Sequence, residues 1–309
     1  MEASTAGVTV WHTLLIEHAR KHPLTATGLG IALASVILLF FSSLYRLVTG
    51  TMPDSVTYAM LGGLAGFTTT ALGALPGLFL RHLPQRVEDV MLGFSAGMML
   101  AASAFSLLLP GLEAGTALTN SPGISAGIVV TGMALGVLLM LGLDEFTPHE
   151  HEKNGPCGPG HDRCNRVWLF VMAIALHNLP EGMAIGVSFS QSDMQVGLPL
   201  TTAIALQDIP EGLAVVMALQ GANFSAAKSV LIAILTGLLE PVGALLGIGL
   251  SSGLAIAYPL GLGMAAGAMI FVVSHEVIPE THRNGHQTAA TLGLMAGFAL
   301  MMTLDTALG

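Results

Sequence analysis

Two segments of the chain carry the same arrangement of metal-competent side chains. His177-Asn178-Leu179-Pro180-Glu181-Gly182 is followed 30 residues later by Gln207-Asp208-Ile209-Pro210-Glu211-Gly212, and Glu240-Pro241 follows 29 residues after Glu211. Imidazole, carboxylate and amide donors together suit a cation site. The set is neither the all-thiolate one of copper(I) nor the all-oxygen cage of calcium, so borderline divalent ions fit: zinc first, then cadmium, iron(II), manganese or cobalt. On a helix His177 and Glu181 share a face, as do Gln207 and Glu211. Asn178 and Asp208 lie one residue further round, where they can serve a second, adjacent ion. Met99, mid-run in its own segment, offers a thioether.

The elements that must position these residues are membrane spans. Of 309 residues, 53% are hydrophobic and only 9% charged, against about 25% charged in soluble domains. A span needs about 20 apolar residues. Nine such runs are found, at roughly 24–48, 58–80, 88–110, 122–144, 166–189, 196–219, 228–251, 256–281 and 287–307. Turn-forming clusters such as Asn120-Ser121-Pro122-Gly123 and Gln220-Gly221-Ala222-Asn223 separate them. The runs lack the residue-by-residue alternation of outer-membrane barrels, so the fold class expected is an all-α, polytopic integral membrane protein. Glu2, Glu17, Arg20 and Lys21 interrupt any cleavable signal, so Met1 is expected to begin the mature chain. Two cysteines, Cys157 and Cys164, make no disulfide framework, and a net charge of −9 argues against nucleic acid or anionic lipid as main partner.

The few charges are sorted by sign. With nine alternating spans, Arg20, Lys21, Arg81, Arg86, Lys153, Arg163, Arg166, Lys228 and Arg283 fall on one side and Arg46 alone on the other. The positive-inside rule then puts the N-terminus and the loop Thr147–Asn165 in the cytoplasm and the C-terminus on the far side. Among the acids inside the runs, seven stand out: Asp144, Glu181, Asp208, Glu211, Glu240, Glu276 and Asp305. Each costs at least about 2.5–3.5 kcal/mol at bilayer depth. Arg46, Arg166 and Lys228 lie only at the ends of runs, so no internal base neutralises these acids and protons or a bound cation must. Glu181, Glu211 and Glu240 are spaced by one span plus a short loop and land at one depth. Pro180, Pro210 and Pro241 beside them predict kinks that free the Leu176 and Leu206 carbonyls next to the ligands.

Other residues read as stepping points. Asp305 lies near the outer end of its run, while His275, Glu276, Glu280 and Asp144 lie toward the cytoplasmic ends of theirs. The cytoplasmic loop carries His149, His151, His161 and the two cysteines in no zinc-finger spacing, a pattern for weak metal capture.

The chain also repeats itself. Besides the two Pro-Glu-Gly segments, Gly93-Phe-Ser-Ala-Gly97-Met-Met echoes Gly263-Met-Ala-Ala-Gly267-Ala-Met, and each pair joins oppositely directed spans. Inverted repeats with proline-interrupted helices point to a transporter whose site lies at the repeat interface. Glycines four apart recur at 62/66, 73/77, 93/97, 132/136, 182/186, 243/247, 263/267 and 293/297. They are read as close helix packing, with room for sliding surfaces or homodimer contacts.

The paired segments, Glu240 and His275-Glu276 resemble the ZIP (Zrt/Irt-like) family of divalent metal transporters, most of all its GufA-like bacterial subgroup, over about residues 58–309. The resemblance implies an eight-helix core at 58–309 with inverted repeats; the run at 24–48 is extra to that pattern and rests on hydropathy and the loop charges, so 1–57 is expected to be a cytoplasmic segment and one extra span. It implies a two-metal centre on the fifth and sixth runs. His177, Glu181, Gln207 and Glu211, with Met99, would match the primary position; Asn178, Asp208 and Glu240 would match the second, Glu181 and Glu211 bridging. Many relatives carry His where this chain has Gln207. The function expected is therefore transport of zinc, cadmium and related ions into the cytoplasm across a bacterial inner membrane by alternating access, for which the family favours an elevator over rocking. No resident cofactor is required, the metal being cargo. The alternative, an intramembrane binuclear hydrolase, needs an open ligand position and a substrate gate for which no residue is seen, and a membrane protease would want His-Glu-x-x-His.

Overall fold

The computed structural model describes residues 16–30, 54–80, 82–146, 149–151, 155–157, 166–251 and 254–308, with single positions at 34, 38, 41, 45 and 49; for 149–151, 155–157, 166–170, 173 and 174 this means the backbone alone. Residues 31–48 of the first apolar run lie, but for four positions, outside the described residues. Residues 16–21 and 23–30 ahead of them are helical.

The helices follow the apolar runs closely. They are α1 (Asp54–Ala74, with a 3-10 turn at Leu75–Leu78), α2 (Gln85–Thr119), α3 (Pro122–Phe146), α4 (Arg166–Ser188), α5 (Met194–Gly221), α6 (Ala226–Ser251), α7 (Ala257–Thr281) and α8 (Gln287–Leu308). Among the described residues seven of these, all but α4, are long and apolar enough to cross a membrane. The 23 residues of α4 span about 34 Å at 1.5 Å per residue, also the length of a crossing. The expected turns close the helices locally. Asn120 takes the left-handed cap of α2 at φ 54°, its N–H donating to the Thr116 carbonyl, and Pro122 opens α3. Asp193 caps α5 by accepting from the Gln195 N–H at 2.9 Å.

The third run ends later than expected, at Thr119 and not 110. A π-helical turn at Ser103–Leu108 widens α2, and the helix then resumes through Pro110. A second π-helical turn, Val273–Val277, interrupts α7. The prolines of α4 and α5 sit inside continuous helices, but α6 breaks at Leu238, between Ala226–Gly237 and Leu239–Ser251. A two-stranded hairpin, His149–His151 against Gly155–Cys157, lies in the long loop.

Glycine contacts decide which helices pair. A Cβ on Gly93 or Gly97 would strike the Ala290 or Leu294 carbonyl of α8, and one on Gly293 or Gly297 the Val90 or Phe94 carbonyl of α2. Gly132 and Gly136 of α3 stand in the same relation to Leu260 and Met264 of α7, as do Gly263 and Gly267 to Val129 and Met133. In the other half, Gly182 and Gly186 of α4 meet Glu240 and Ala244 of α6, while Gly73 of α1 meets Ile209 of α5 and Gly212 meets Thr70. Every glycine of the eight stripes finds its neighbour within the chain. In lipid, where burying apolar surface gains little, backbone approach of this kind supplies the dispersion contacts that hold helices together.

These pairings extend the repeat. Gly243 meets the Leu179 carbonyl as Gly73 meets that of Ile209, and Gly73-Ala-Leu-Pro-Gly77 echoes Gly243-Ala-Leu-Leu-Gly247. The π-helical turns begin ten residues after Gly93 and ten after Gly263, and Asp144 and Asp305 each lie eight residues after Gly136 and Gly297. So α1–α3 correspond to α6–α8, with α4 and α5 as a related pair between them. The bundle centre is occupied by α2, α5 and α7, each 67% buried over its span, whereas α8 is buried over only 17% and leaves Leu292 and Met295 to the bilayer.

Candidate metal centre

Four carboxylates meet where α4, α5 and α6 cross. Glu181, Asp208, Glu211 and Glu240 are between 0% and 5% exposed. No Lys or Arg pairs with any of them among the described residues. Oxygens of Glu181, Asp208 and Glu211 lie within 4.8 Å of one another. Two oxygens on one zinc at about 2.1 Å each are at most about 4.2 Å apart, so a small side-chain adjustment closes this group on an ion. Glu240 reaches it through the break in α6, which starts a new helix at Leu239 and puts the glutamate in its first turn, where a helix favours negative charge. Glycine makes the approach feasible: Gly182 presses on the Glu240 backbone, and Gly66 of α1 faces Glu240 Oε2, with Asp208 Oδ2 3.3 Å from where its Cβ would be.

Hydrogen bonds orient these groups without satisfying them. Gln207 Nε2 donates to Glu181 Oε1 at 2.5 Å, Thr70 Oγ1 to Glu240 Oε1 at 2.7 Å, and Thr69 Oγ1 to Asp208 Oδ2 at 3.3 Å. Ser95 of α2 donates to the Gln207 carbonyl at 2.9 Å. That leaves Glu181 Oε2, Glu211 Oε1, Glu240 Oε2, Gln207 Oε1 and Asn178 Nδ2 buried without a partner. A buried polar atom left so costs about 1–3 kcal/mol, more when charged. Four of the five are oxygens, which a cation satisfies; Asn178 offers its own oxygen when its amide turns over. His177, 3% exposed, lies one turn before Glu181 but outside the 4.8 Å group. Met99 is fully buried one turn beyond Ser95, on the face of α2 toward α5.

The peripheral residues fall into separate places. Asp144, His275 and Glu276 do come together, their ligand atoms within 4.8 Å, with His275 Nε2 3.9 Å from Asp144 Oδ2. His275 and Glu276 stand on the π-helical turn of α7. Glu280, one turn after Glu276, accepts from Arg283 at 2.9 Å. Asp305 accepts from Ser106 at 2.6 Å, and Ser106 stands on the π-helical turn of α2. His149 and His151 lie on the hairpin, their side chains outside the described residues, as is all of His161.

Sequence reasoning missed Gly66, Thr69, Thr70, Ser95 and Ser106, and also Asp89. Asp89 is 1% exposed within α2 and accepts from His286 Nδ1 at 2.8 Å, Asn284 Nδ2 at 2.9 Å and Gln85 Nε2 at 3.3 Å. Its place at the edge of a run disguised it as interfacial; the triplet Thr68-Thr69-Thr70 within a run was a signal available for α1.

A family model described as ZIP Zinc transporter matches residues 147–305. Zinc transporter ZIPB of Bordetella bronchiseptica is 60% identical over 299 residues, covering 97% of this chain and 96% of its own. Zinc transporter GufA of Myxococcus xanthus is 41% identical over 253 residues, 81% of this chain and 98% of its own. Human zinc transporter ZIP11 is 28% identical over 340 aligned positions, 83% of this chain and 98% of its own.

Proposed function

This chain belongs to the ZIP family of zinc transporters, and from that premise we propose that it carries zinc, and with it cadmium and related divalent ions such as iron(II) or manganese, into the cytoplasm across a bacterial inner membrane through the buried carboxylate centre. The observation that carries this is the set of four buried acids that, among the described residues, no Lys or Arg pairs with, three of them holding a buried oxygen without a partner. Such a centre holds a dication and releases it to water once opened. Membership in a transporter family sets the hydrolase alternative aside.

In this reading His177, Glu181, Gln207 and Glu211, with Met99, take the transported ion, while Asn178, Asp208 and Glu240 take a second one that Glu181 and Glu211 share. Ions enter past Ser106 and Asp305 and leave past Asp144, His275 and Glu276. The nine-to-one distribution of Lys and Arg supports that direction, with the N-terminus cytoplasmic.

The glycine contacts support movement of one helix group past another. Backbone-tight contacts join α1, α4, α5 and α6 among themselves, and α2, α3, α7 and α8 among themselves. Between the groups the approach is looser: a Cβ on Gly261 of α7 would stand 3.2 Å from the Val187 Cγ1 of α4, and the Ser95–Gln207 bond is a single replaceable contact. The group that bears the four carboxylates moves as one body past the group that bears Met99, which favours an elevator.

Reconstitution in liposomes tests the reading. Zinc and cadmium uptake is expected with the parent chain, while Glu181→Ala and Glu211→Ala fall to the level of protein-free vesicles. A correctly folded parent chain that moves no metal overturns the transporter function.

A further inference from the structure

One cluster of metal-ligating side chains lies apart from the centre and its route. His18 and His22, four residues apart on the N-terminal helical segment, stack their rings with centroids 4.7 Å apart and planes 28° from parallel. Both aim Nε2 at the same oxygen, Glu145 Oε1, at 2.9 Å from His18 and 3.5 Å from His22. Ligand atoms of all three residues lie within 4.8 Å of one another. Glu145 stands in the last turn of α3. Phe146 packs edge-on against the His18 ring, centroids 5.2 Å apart, and Leu29 lies 3.6 Å from where a Cβ on Gly142 would be. The segment thus lies along the end of α3, and the cluster sits on the seam.

A hydrogen bond uses this geometry poorly. Glu145 Oε1 bonds His18 at 2.9 Å, while His22, at 3.5 Å, stands at the outer limit of a hydrogen bond. A divalent ion between the three serves all: zinc takes imidazole nitrogen at about 2.0–2.1 Å and carboxylate oxygen at about 2.0–2.2 Å, with water as a fourth ligand. The side chains are 20%, 43% and 38% exposed for His18, His22 and Glu145, so an ion and its water can reach the site. Histidines at i and i+4 present both nitrogens on one helix face.

We propose that His18, His22 and Glu145 form a separate binding site for a zinc-class divalent ion, clamping the N-terminal segment to the end of α3. Glu145 adjoins Asp144 of the Asp144–His275–Glu276 group, so the clamp fills from the same pool that this group faces and registers metal at that end of the bundle. The site is independent of whether the chain transports.

Zinc bound per chain, measured by equilibrium dialysis and elemental analysis on the full-length protein in detergent, tests it. His18→Ala/His22→Ala is expected to bind about one equivalent fewer than the parent, and Glu145→Gln to lose the same equivalent. Combining either with Glu181→Ala/Glu211→Ala is expected to give additive losses, which separates the clamp from the buried centre. Unchanged stoichiometry in the folded double-histidine variant overturns the proposal. Should that variant misfold, the parent chain decides: zinc must protect both His18 and His22 from diethylpyrocarbonate, read by peptide mass spectrometry, and absence of protection sinks the clamp.

Discussion

Thr70 and Gly66 are the residues that govern Glu240. The Thr70 hydroxyl holds one oxygen of that carboxylate, and the missing side chain at Gly66 leaves space for the other. Groups that orient a ligand typically contribute 10–100-fold in metal affinity. Thr70→Val is therefore expected to weaken zinc binding about tenfold, measured by competition titration against a chromophoric chelator. In Gly66→Ala the added methyl collides with the Glu240 carboxyl, and the second equivalent of metal is expected to be lost while the Glu181–Glu211 position still fills; unaltered stoichiometry would show that Glu240 is not a ligand. At this scale the buried acids themselves are legible in the sequence, because a carboxylate inside an apolar run is an anomaly demanding a partner. Their supporters are not. Thr68 of the same triplet donates to its own helix, at the Leu64 carbonyl, the ordinary use of a hydroxyl in a membrane helix. Nothing in the residue type distinguishes Thr70, which donates across to α6.

The helices were legible as apolar runs because hydrogen-bonding requirements in lipid leave a chain few other options. Their interruptions were only partly so. Pro241 flagged the break in α6, whereas no residue type compels a π-helical turn, and the extension of α2 to Thr119 past Pro110 follows from that turn. Buried Asp89 shows a comparable effect between elements. It ties the connection between α7 and α8 onto α2 through His286 and Asn284. Asp89→Ala leaves both donors without their acceptor, and the expected cost is about 1–3 kcal/mol. Thermal unfolding of the metal-free protein should fall accordingly, with faster proteolysis near residues 282–286; a variant as stable as the parent would make the tie incidental.

For the molecule as a whole, the stripes of glycine announced close contacts without naming partners, since a small residue fits any backbone. The structure divides the contacts between two groups of four helices, and the division has a mechanical consequence. In a background with Cys157 and Cys164 changed to Ser, a disulfide between Val187→Cys and Gly261→Cys joins the groups and is expected to arrest zinc flux until reduced. One between Gly62→Cys and Ile185→Cys lies within a group and should leave flux largely intact. Equal flux through both would refute movement between the groups. The inverted repeat carries a further consequence. The pseudo-twofold relation sets His177 against Gln207, Asn178 against Asp208, Thr70 against Glu240, and the Ser106–Asp305 turn against the turn bearing His275 and Glu276. A backbone whose halves exchange under inversion assigns the same energy to facing either way. For a carrier that alternates, a resting bias comes from where the halves differ, these pairs among the differences, and substitutions that make the pairs alike are expected to shift the balance of its two orientations.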